Sequence, residues 1–487
     1  MWMLMMIPFF ADFYVRQALP QLISIITLEL GSSTPAEKAM LLGSFFPGYV
    51  LGQIPSGILS KLYGAKPIIT ANLFGNAALL LLLPLAARHS VLAICACLTG
   101  IGLFQSPMVP AVSVLYRHWM PPGSERAFAL AIPELGSKIS MVLSPLTVPW
   151  LAARNAGGWK AVVVPYGIGM AAFGALWHVC ASDTAAEWHR PATSESPVVV
   201  GFARLRAMLL PSMNEAERQM LSSSVANHAN EPVSTYGKLR EVFRSQALLA
   251  RTPAAYAPVL AHICDCLTVY AMMQWVPTIY AERFNCTPSE TGRYIAIPNL
   301  MHWVGQFFSA ALERLAAKHA GLTPLQLRRA CVFGGATLKS VALLCFATAK
   351  TPVQATICFT LNNLVSSVHL SGFVQNYLEI GGEDVAVLMS TGNTVSNLTG
   401  ILIPLVATVF RQRFGVVGWV TPFFGTVAVF HMMCAGLFCV LAKVESARSL
   451  RTAMTIQEKL SSIKQKVAAA AEKKRRRKED AAMRKVK

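Results

Sequence analysis

Charged side chains are scarce in this 487-residue chain: Asp, Glu, Lys and Arg make up 14% of it, where a soluble domain carries about 25%. Hydrophobic residues make up 54%, and the mean hydropathy is +0.47. That balance excludes ordinary soluble enzymes, disordered chains and disulfide scaffolds. The 11 cysteines show no paired spacing. Cys95, Cys97, Cys264, Cys345 and Cys434 sit inside apolar runs and read as small membrane-core side chains rather than zinc or disulfide positions. No G-x-x-x-x-G-K-[ST] occurs, so ATP-driven pumping has no support. No nucleophile–base constellation occurs either, so neither an enzyme nor a cofactor is expected. The N-terminus lacks a basic n-region and an A-x-A site, and no signal peptide is expected.

Long apolar runs are what the chain has. A membrane span needs about 20 apolar residues. Runs of that size cover 3–27, 39–60, 67–87, 90–114, 127–152, 161–181, 253–280, 291–312, 328–348, 352–376, 386–410 and 416–442. They predict an all-α integral membrane protein with twelve spans. The expected units are an N-terminal six-helix half (1–181), a central loop (182–251), a C-terminal six-helix half (252–443) and a basic tail (444–487). The central loop carries mixed charge and an amphipathic piece such as Phe202–Leu210. With both termini and that loop in the cytosol, 31 of the 43 Lys and Arg lie on the cytosolic side and 9 on the other. The positive-inside rule favours this orientation. The tail run Lys473–Lys478 reads as part of a solvated helix touching anionic lipid, at about 1 kcal/mol per basic residue, rather than as a nucleic-acid site. Asn285-Cys-Thr287 is a glycosylation sequon in the loop between spans seven and eight, on the non-cytosolic side.

Two six-span halves suggest a transporter built from repeats. Gly136-Ser-Lys-Ile-Ser140 with Pro145 in span five is echoed by Gly392-Asn-Thr-Val-Ser396 with Pro404 in span eleven. Several segments also carry a family resemblance. Gly43-Ser-Phe-Phe-Pro-Gly-Tyr-Val-Leu-Gly-Gln-Ile-Pro-Ser-Gly57 resembles a second-span signature, GSFFWGYxxxQIPGG. In order along the chain follow Pro110, Trp119 and Pro122 with Glu125-Arg126; Ser182-Asp-Thr184; Trp275-Val-Pro277 with Tyr280; Ser371–Ile380; and Gly392-Asn-Thr394. Together they resemble the anion:cation symporter family of the major facilitator superfamily, the sialin, vesicular glutamate and sodium–phosphate transporter type, with this chain a divergent member. The departures fall at chemically important positions. Lys61 stands where the superfamily's loop motif has an Asp. Vesicular glutamate members carry an Arg and a Glu at the positions of Leu98 and Gln105, a His at Leu42 and an Arg at Asp265.

An ionisable group inside a span costs about 2.5–3.5 kcal/mol on insertion scales, so each needs a partner or a role. Arg16 matches the family's first-span Arg, and its guanidinium fork suits a carboxylate or phosphate. Asp12, one turn earlier, is expected to hold Arg16 when the site is empty. Glu134 and Lys138 are expected to pair in the same way, as a structural pair or as a site near the cytosolic mouth. Asp265 reads either as a proton carrier or as the partner of a Lys or Arg elsewhere; with only His262 nearby on its own helix, it is the expected proton carrier. Lys339 is expected to snorkel to the cytosolic face. The resemblance places Tyr49 and Asn393 in the substrate cavity. Gln105 and Asn397 bond either substrate or a neighbouring helix. Asn376 and Glu379 match the family's N-x-x-D and imply gating contacts.

The expected function is secondary active transport of an organic or inorganic anion by alternating access, coupled to a H⁺ or Na⁺ gradient. An uncoupled, channel-like anion pathway and a transport-dead scaffold or receptor are the alternatives. The expected substrate-binding residues are Arg16, Tyr49, Gln105 and Asn393. The expected coupling and gating residues are Asp12, Glu134, Lys138, Asp265 and Asn376. The partners expected are the anion, the co-transported ion and anionic lipid, with the chain acting as a monomer in the plasma membrane or an endomembrane.

Overall fold

The computed structural model describes residues 1–29, 34–119, 125–155, 157–183, 235–319, 321–450 and 452. Every regular element among them is helical. The N-terminal group is α1 (Trp2–Glu29), α2 (Pro35–Gly43), α3 (Phe45–Tyr63), α4 (Ala65–His89), α5 (Val91–Gln105), α6 (Met108–Trp119), α7 (Glu125–Arg154) and α8 (Lys160–Cys180). A separate helix, α9 (Thr235–Ala250), ends the central stretch. The C-terminal group is α10 (Tyr256–Phe284), α11 (Pro288–His319), α12 (Pro324–Thr348), α13 (Pro352–Gly381), α14 (Val385–Asn397), α15 (Thr399–Gly418) and α16 (Val420–Leu441). Phe202–Leu210, Lys473–Lys478 and the Met120–Pro122 motif lie outside the described residues.

Each apolar run coincides with one helix or with two helices separated by a break. Among the described residues, eight stretches are long and apolar enough to cross a membrane unaided. Helices α1 and α7 fall short of that because they carry Asp12 and Arg16, and Glu134 and Lys138. The break between α5 and α6 has a local cause. Pro107 has no N–H for the Leu103 carbonyl, and the Ser106 hydroxyl donates to that carbonyl instead, at 2.7 Å.

Both halves use one packing pattern. Within the first, α4 packs on α8 and α5, and α3 on α5; within the second, α12 packs on α16 and α13, and α11 on α13. The repeat that the sequence only echoes is therefore carried by packing. Helices α3 and α5 touch backbone to backbone: a Cβ on Gly102 would lie 1.9 Å from the Phe45 carbonyl oxygen, so glycine is required. Large apolar side chains such as Leu51, Leu92, Phe307, Phe308 and Val440 are exposed. In water such a surface would be an association hazard; in a bilayer it is the lipid-facing coat.

The Trp2 indole donates to the Trp119 carbonyl at 2.8 Å and the Trp119 indole to the Ser182 carbonyl at 3.1 Å. The start of α1 and the ends of α6 and α8 thus share one side, called here the terminal side. The C-terminal ends of α1, α4, α7 and α10 lie on the far side.

Candidate functional site

Arg16 lies mid-way along α1, four residues before Pro20. Its guanidinium carbon sits 4.3 Å from the Tyr49 ring centroid, 5.0 Å from Phe45 and 5.8 Å from Phe13. These aromatic faces hold the cation by their negative quadrupole. The Nε and Nη2 atoms are buried and have no hydrogen-bond partner. Those two donors form the side-on edge of the fork, the edge that meets both oxygens of a carboxylate. Arg16 opens into a cavity lined also by Leu41, Leu42, Phe45, Phe46 and Leu98 of the first half and Met273 and Gln274 of the second.

The spacing of Asp12 and Arg16 does not produce the expected pair. Among the described residues no ion pair within 4.0 Å joins them. Asp12 turns toward α4 instead, where the Asn72 amide donates to Oδ2 at 2.8 Å. Its Oδ1 is buried with no hydrogen-bond partner. Glu134 and Lys138 likewise form no ion pair within 4.0 Å among the described residues; Glu134 is exposed and Lys138 half-buried.

The two halves meet from mid-depth to the far side. At mid-depth the Asn393 amide donates to Gln53 Oε1 at 3.1 Å, and the Asn299 amide to the Met141 carbonyl at 2.7 Å. Asn397 donates to the Asn393 carbonyl at 2.6 Å and accepts from the Tyr270 hydroxyl. Farther out, Gln274 donates to the Gly400 carbonyl at 3.0 Å and reaches the Leu42 carbonyl at 3.5 Å. At the far-side end Glu282 pairs with Arg411 at 2.6 Å and with Lys38 at 4.0 Å, the latter across the halves. A Cβ on Gly292 would sit 1.9 Å from the Pro145 carbonyl oxygen, so α7 and α11 also close backbone to backbone there. Among the described residues, no hydrogen bond or ion pair joins the two halves nearer the terminal side. The two halves are therefore held together from mid-depth to the far side.

Asp265 has a basic partner after all, from another helix. Lys339 Nζ lies 2.6 Å from its Oδ1, and Ser366 Oγ lies 3.2 Å from the same ammonium. Lys339 is fully buried and does not snorkel; the carboxylate 74 residues earlier holds it in the core of the C-terminal half. His369 Nδ1 lies 3.4 Å from the same Oδ1.

At the terminal side the Asn376 amide donates to the Lys443 carbonyl at 2.7 Å and to Glu379 at 3.3 Å. Glu379 accepts from Arg328, which also pairs with Glu313 at 3.3 Å. These contacts stay within the C-terminal half. Asp384 ties α9 to the chain after α16: Ser245 donates to it at 2.6 Å, and Arg448 grips both oxygens at 2.7 and 2.9 Å. The Arg448 hydrogen bonds, then the Ser245 bond, hold the Asp384 carboxyl below the usual carboxylate range.

The family model of the Major Facilitator Superfamily matches residues 3–404. The chain belongs to the Major Facilitator Superfamily. Among curated relatives, an uncharacterized transporter of Caenorhabditis elegans, slc-17.2, is 26% identical over 390 residues, covering 78% of this chain and 73% of the relative. Sialin of Ovis aries is 26% identical over 411 residues, covering 84% and 76%. Vesicular glutamate transporter 3 of Danio rerio is 26% identical over 378 residues, covering 76% of this chain and 58% of the relative. The relatives are thus of the type the sequence motifs resemble. The fold is shared with a bacterial homologue of the human lysosomal transporter Spinster in an inward-facing, unoccupied conformation, at TM-score 0.67, 13% identity and coverage of 90% and 96%. It is shared as well with a D-xylose-proton symporter, at TM-score 0.60, 10% identity and coverage of 91% and 97%.

Within this superfamily fold the expected substrate residues divide. Arg16 and Tyr49 are brought together. Gln105 is buried at the end of α5 with its Nε2 unpartnered, and Asn393 is committed to the seam between the halves. Leu42 and Leu98, two positions of departure from the vesicular glutamate type, line the cavity, so apart from the Gln274 amide its wall is apolar around one guanidinium. Sequence reading missed Gln53 and Gln274, which bridge the halves. Gln53 lies inside the second-span signature, and Gln274 is a lone amide in an apolar run, so both carried a signal.

Proposed function

We propose that this transporter carries a small anion by alternating access, with Arg16 as the anion-binding group at mid-depth. The observation that carries the reading is the buried guanidinium edge without a hydrogen-bond partner. Two charge-assisted donors left empty in a protein interior are costly, and a carboxylate completes both. The apolar wall of Leu42, Leu98, Phe45, Phe46 and Met273 favours a monocarboxylate with an apolar body over an anion of several charges. Sialin and the vesicular glutamate transporters are the relatives that support an anionic substrate; the altered wall argues against glutamate itself.

Residues 1–181 and 252–443 serve as the rocking units. The far-side seam of Gln274, Gly292 and Glu282 is the closed gate, and the site faces the terminal side, which the Lys and Arg distribution assigns to the cytosol. The basic tail contacts anionic lipid.

Transport is driven by a H⁺ or Na⁺ gradient. The pairing with Lys339 removes the ground for choosing Asp265 as the carrier of the coupled ion. Asp12 replaces it, with one oxygen unpaired and Arg16 one turn away. Purified protein in liposomes, offered labelled monocarboxylates under imposed pH and Na⁺ gradients, tests the reading. Asp12→Asn should lose gradient-driven accumulation and keep anion-for-anion exchange. Undiminished accumulation by that variant would remove Asp12 from coupling, and no uptake of any monocarboxylate by the wild type would overturn the substrate class.

A further inference from the structure

Three side chains in the core of the C-terminal half converge without a role in the anion pathway. Cys264 comes from α10, His369 from α13 and His431 from α16. Their ligating atoms lie within 4.8 Å of one another. Cys264 Sγ and His369 Nε2 are 3.7 Å apart. Sulfur and nitrogen ligands about 2.3 and 2.0 Å from one shared ion stand about 3.5–3.7 Å apart at angles between tetrahedral and trigonal. The His369 and His431 rings meet edge to face, with centroids 5.1 Å apart.

His431 is the second observation. It is fully buried, and neither ring nitrogen has a hydrogen-bond partner. A buried imidazole always leaves at least one lone pair or N–H to satisfy, and an orphan costs about 1–3 kcal/mol. A bound cation would take the lone pair. His369 has the complementary arrangement: Nε2 faces the sulfur while Nδ1 lies 3.4 Å from Asp265 Oδ1. Nδ1 makes no hydrogen bond at that distance, but the carboxylate stands on the side of the ring where proteins place the group that orients a ligating histidine.

We propose that Cys264, His369 and His431 form a three-coordinate site for a soft monovalent d¹⁰ cation, Cu⁺. Thiolate with imidazole selects copper or zinc over hard cations. Charge balance chooses between them. With Asp265 and a Cys264 thiolate negative and Lys339 positive, the cluster carries one net negative charge. Cu⁺ neutralises it, whereas Zn²⁺ leaves a buried net positive charge beside the Lys339 ammonium, which is unfavourable in the interior. Three protein ligands also suit Cu⁺, while a structural zinc site wants four. Binding involves no redox step. The thiol proton, now donated to the Ala261 carbonyl at 3.2 Å, is released as the S–Cu bond forms. Its way out is the edge at Asp265, whose side chain keeps 11% of its surface exposed.

The test is titration of the purified full-length protein in detergent with Cu⁺ buffered by bicinchoninate under ascorbate, beside a parallel Zn²⁺ titration. The expected result is one tightly held Cu⁺ per chain with a raised melting temperature. Affinity should fall at least about 100-fold in Cys264→Ser and in His431→Phe, the second preserving the aromatic packing. Cys345→Ser, at an exposed cysteine, should bind as wild type does. Copper retained by both site variants, tight binding of Zn²⁺ alone, or no binding beyond the bicinchoninate buffer would each overturn the proposal.

Discussion

Replacing Arg16 by Met should separate function from stability. A carboxylate on the Nε and Nη2 edge takes two charge-assisted hydrogen bonds, each contributing about 1.5–3 kcal/mol. Losing both removes about 3–6 kcal/mol, and at about 1.4 kcal/mol per decade the anion should bind about 10²–10⁴-fold more weakly. The unliganded protein should respond in the opposite direction. Both donors are buried and unpaired, a burden of about 1–3 kcal/mol each. Methionine forfeits the stacking on Tyr49 and Phe45, a cation–π contribution of about 0.5–2 kcal/mol, but fills the same aromatic slot. Arg16→Met should therefore melt no lower than wild type without ligand, and show no melting shift with an anion that raises the wild-type transition. Arg16→Lys should bind in between, because one ammonium cannot reproduce the fork. A large drop in the unliganded melting temperature would make Arg16 a structural residue, and an undiminished ligand shift would remove it from the site.

Three other outcomes follow from named contacts and a fourth from the charge distribution. Lys339→Met should destabilise the protein by about 3–5 kcal/mol, because it leaves Asp265 charged and buried; pairing it with Asp265→Asn should recover most of that in a denaturation series, and no recovery would refute the pair. Gly292→Val should keep α7 and α11 apart, so that an impermeant thiol reagent reaches a cysteine placed at Gln274 from the far side; unchanged protection would contradict the closed seam. Asp384 has its carboxyl depressed in the folded state, so its contribution is present above the ordinary carboxylate range and is lost only as pH falls below that range. Limited proteolysis before α9 should accordingly be the same at pH 7.5 and pH 5, and faster in Asp384→Asn at both; protection lost by pH 5 in the wild type would contradict it. Finally, cysteines at Gly201 and Asn285 should label from the cytosolic and opposite sides respectively, and labelling of position 201 from outside intact cells would reverse the orientation.

Helix positions were legible because lipid imposes long apolar runs that water does not, and each run from 3–27 to 416–442 is occupied by a helix or a broken pair. The breaks were less legible. Pro107 stands at one, whereas Pro47 and Pro404 stand three and six residues past those at Ser44 and Leu398 and do not mark their positions. Arg16 and Tyr49 could be read as neighbours because family motifs carry them. Charge partners could not be read from helix spacing. The four-residue interval of Asp12 and Arg16 permits a pair but does not compel it, and Asn72 on α4 competes for the carboxylate. Asp265 and Lys339 lie 74 positions apart, and only packing of α10 against its neighbours brings them together.

The measurement closest to the central claim is counterflow. Liposomes containing the purified protein are loaded with unlabelled monocarboxylate and diluted into a trace of the labelled anion, with no ion gradient imposed. A carrier that binds the anion at Arg16 and alternates should show a transient accumulation of label above equilibrium, absent in Arg16→Met. Label that only equilibrates, with no overshoot in wild-type liposomes that take it up, would show a channel-like pathway and contradict alternating access.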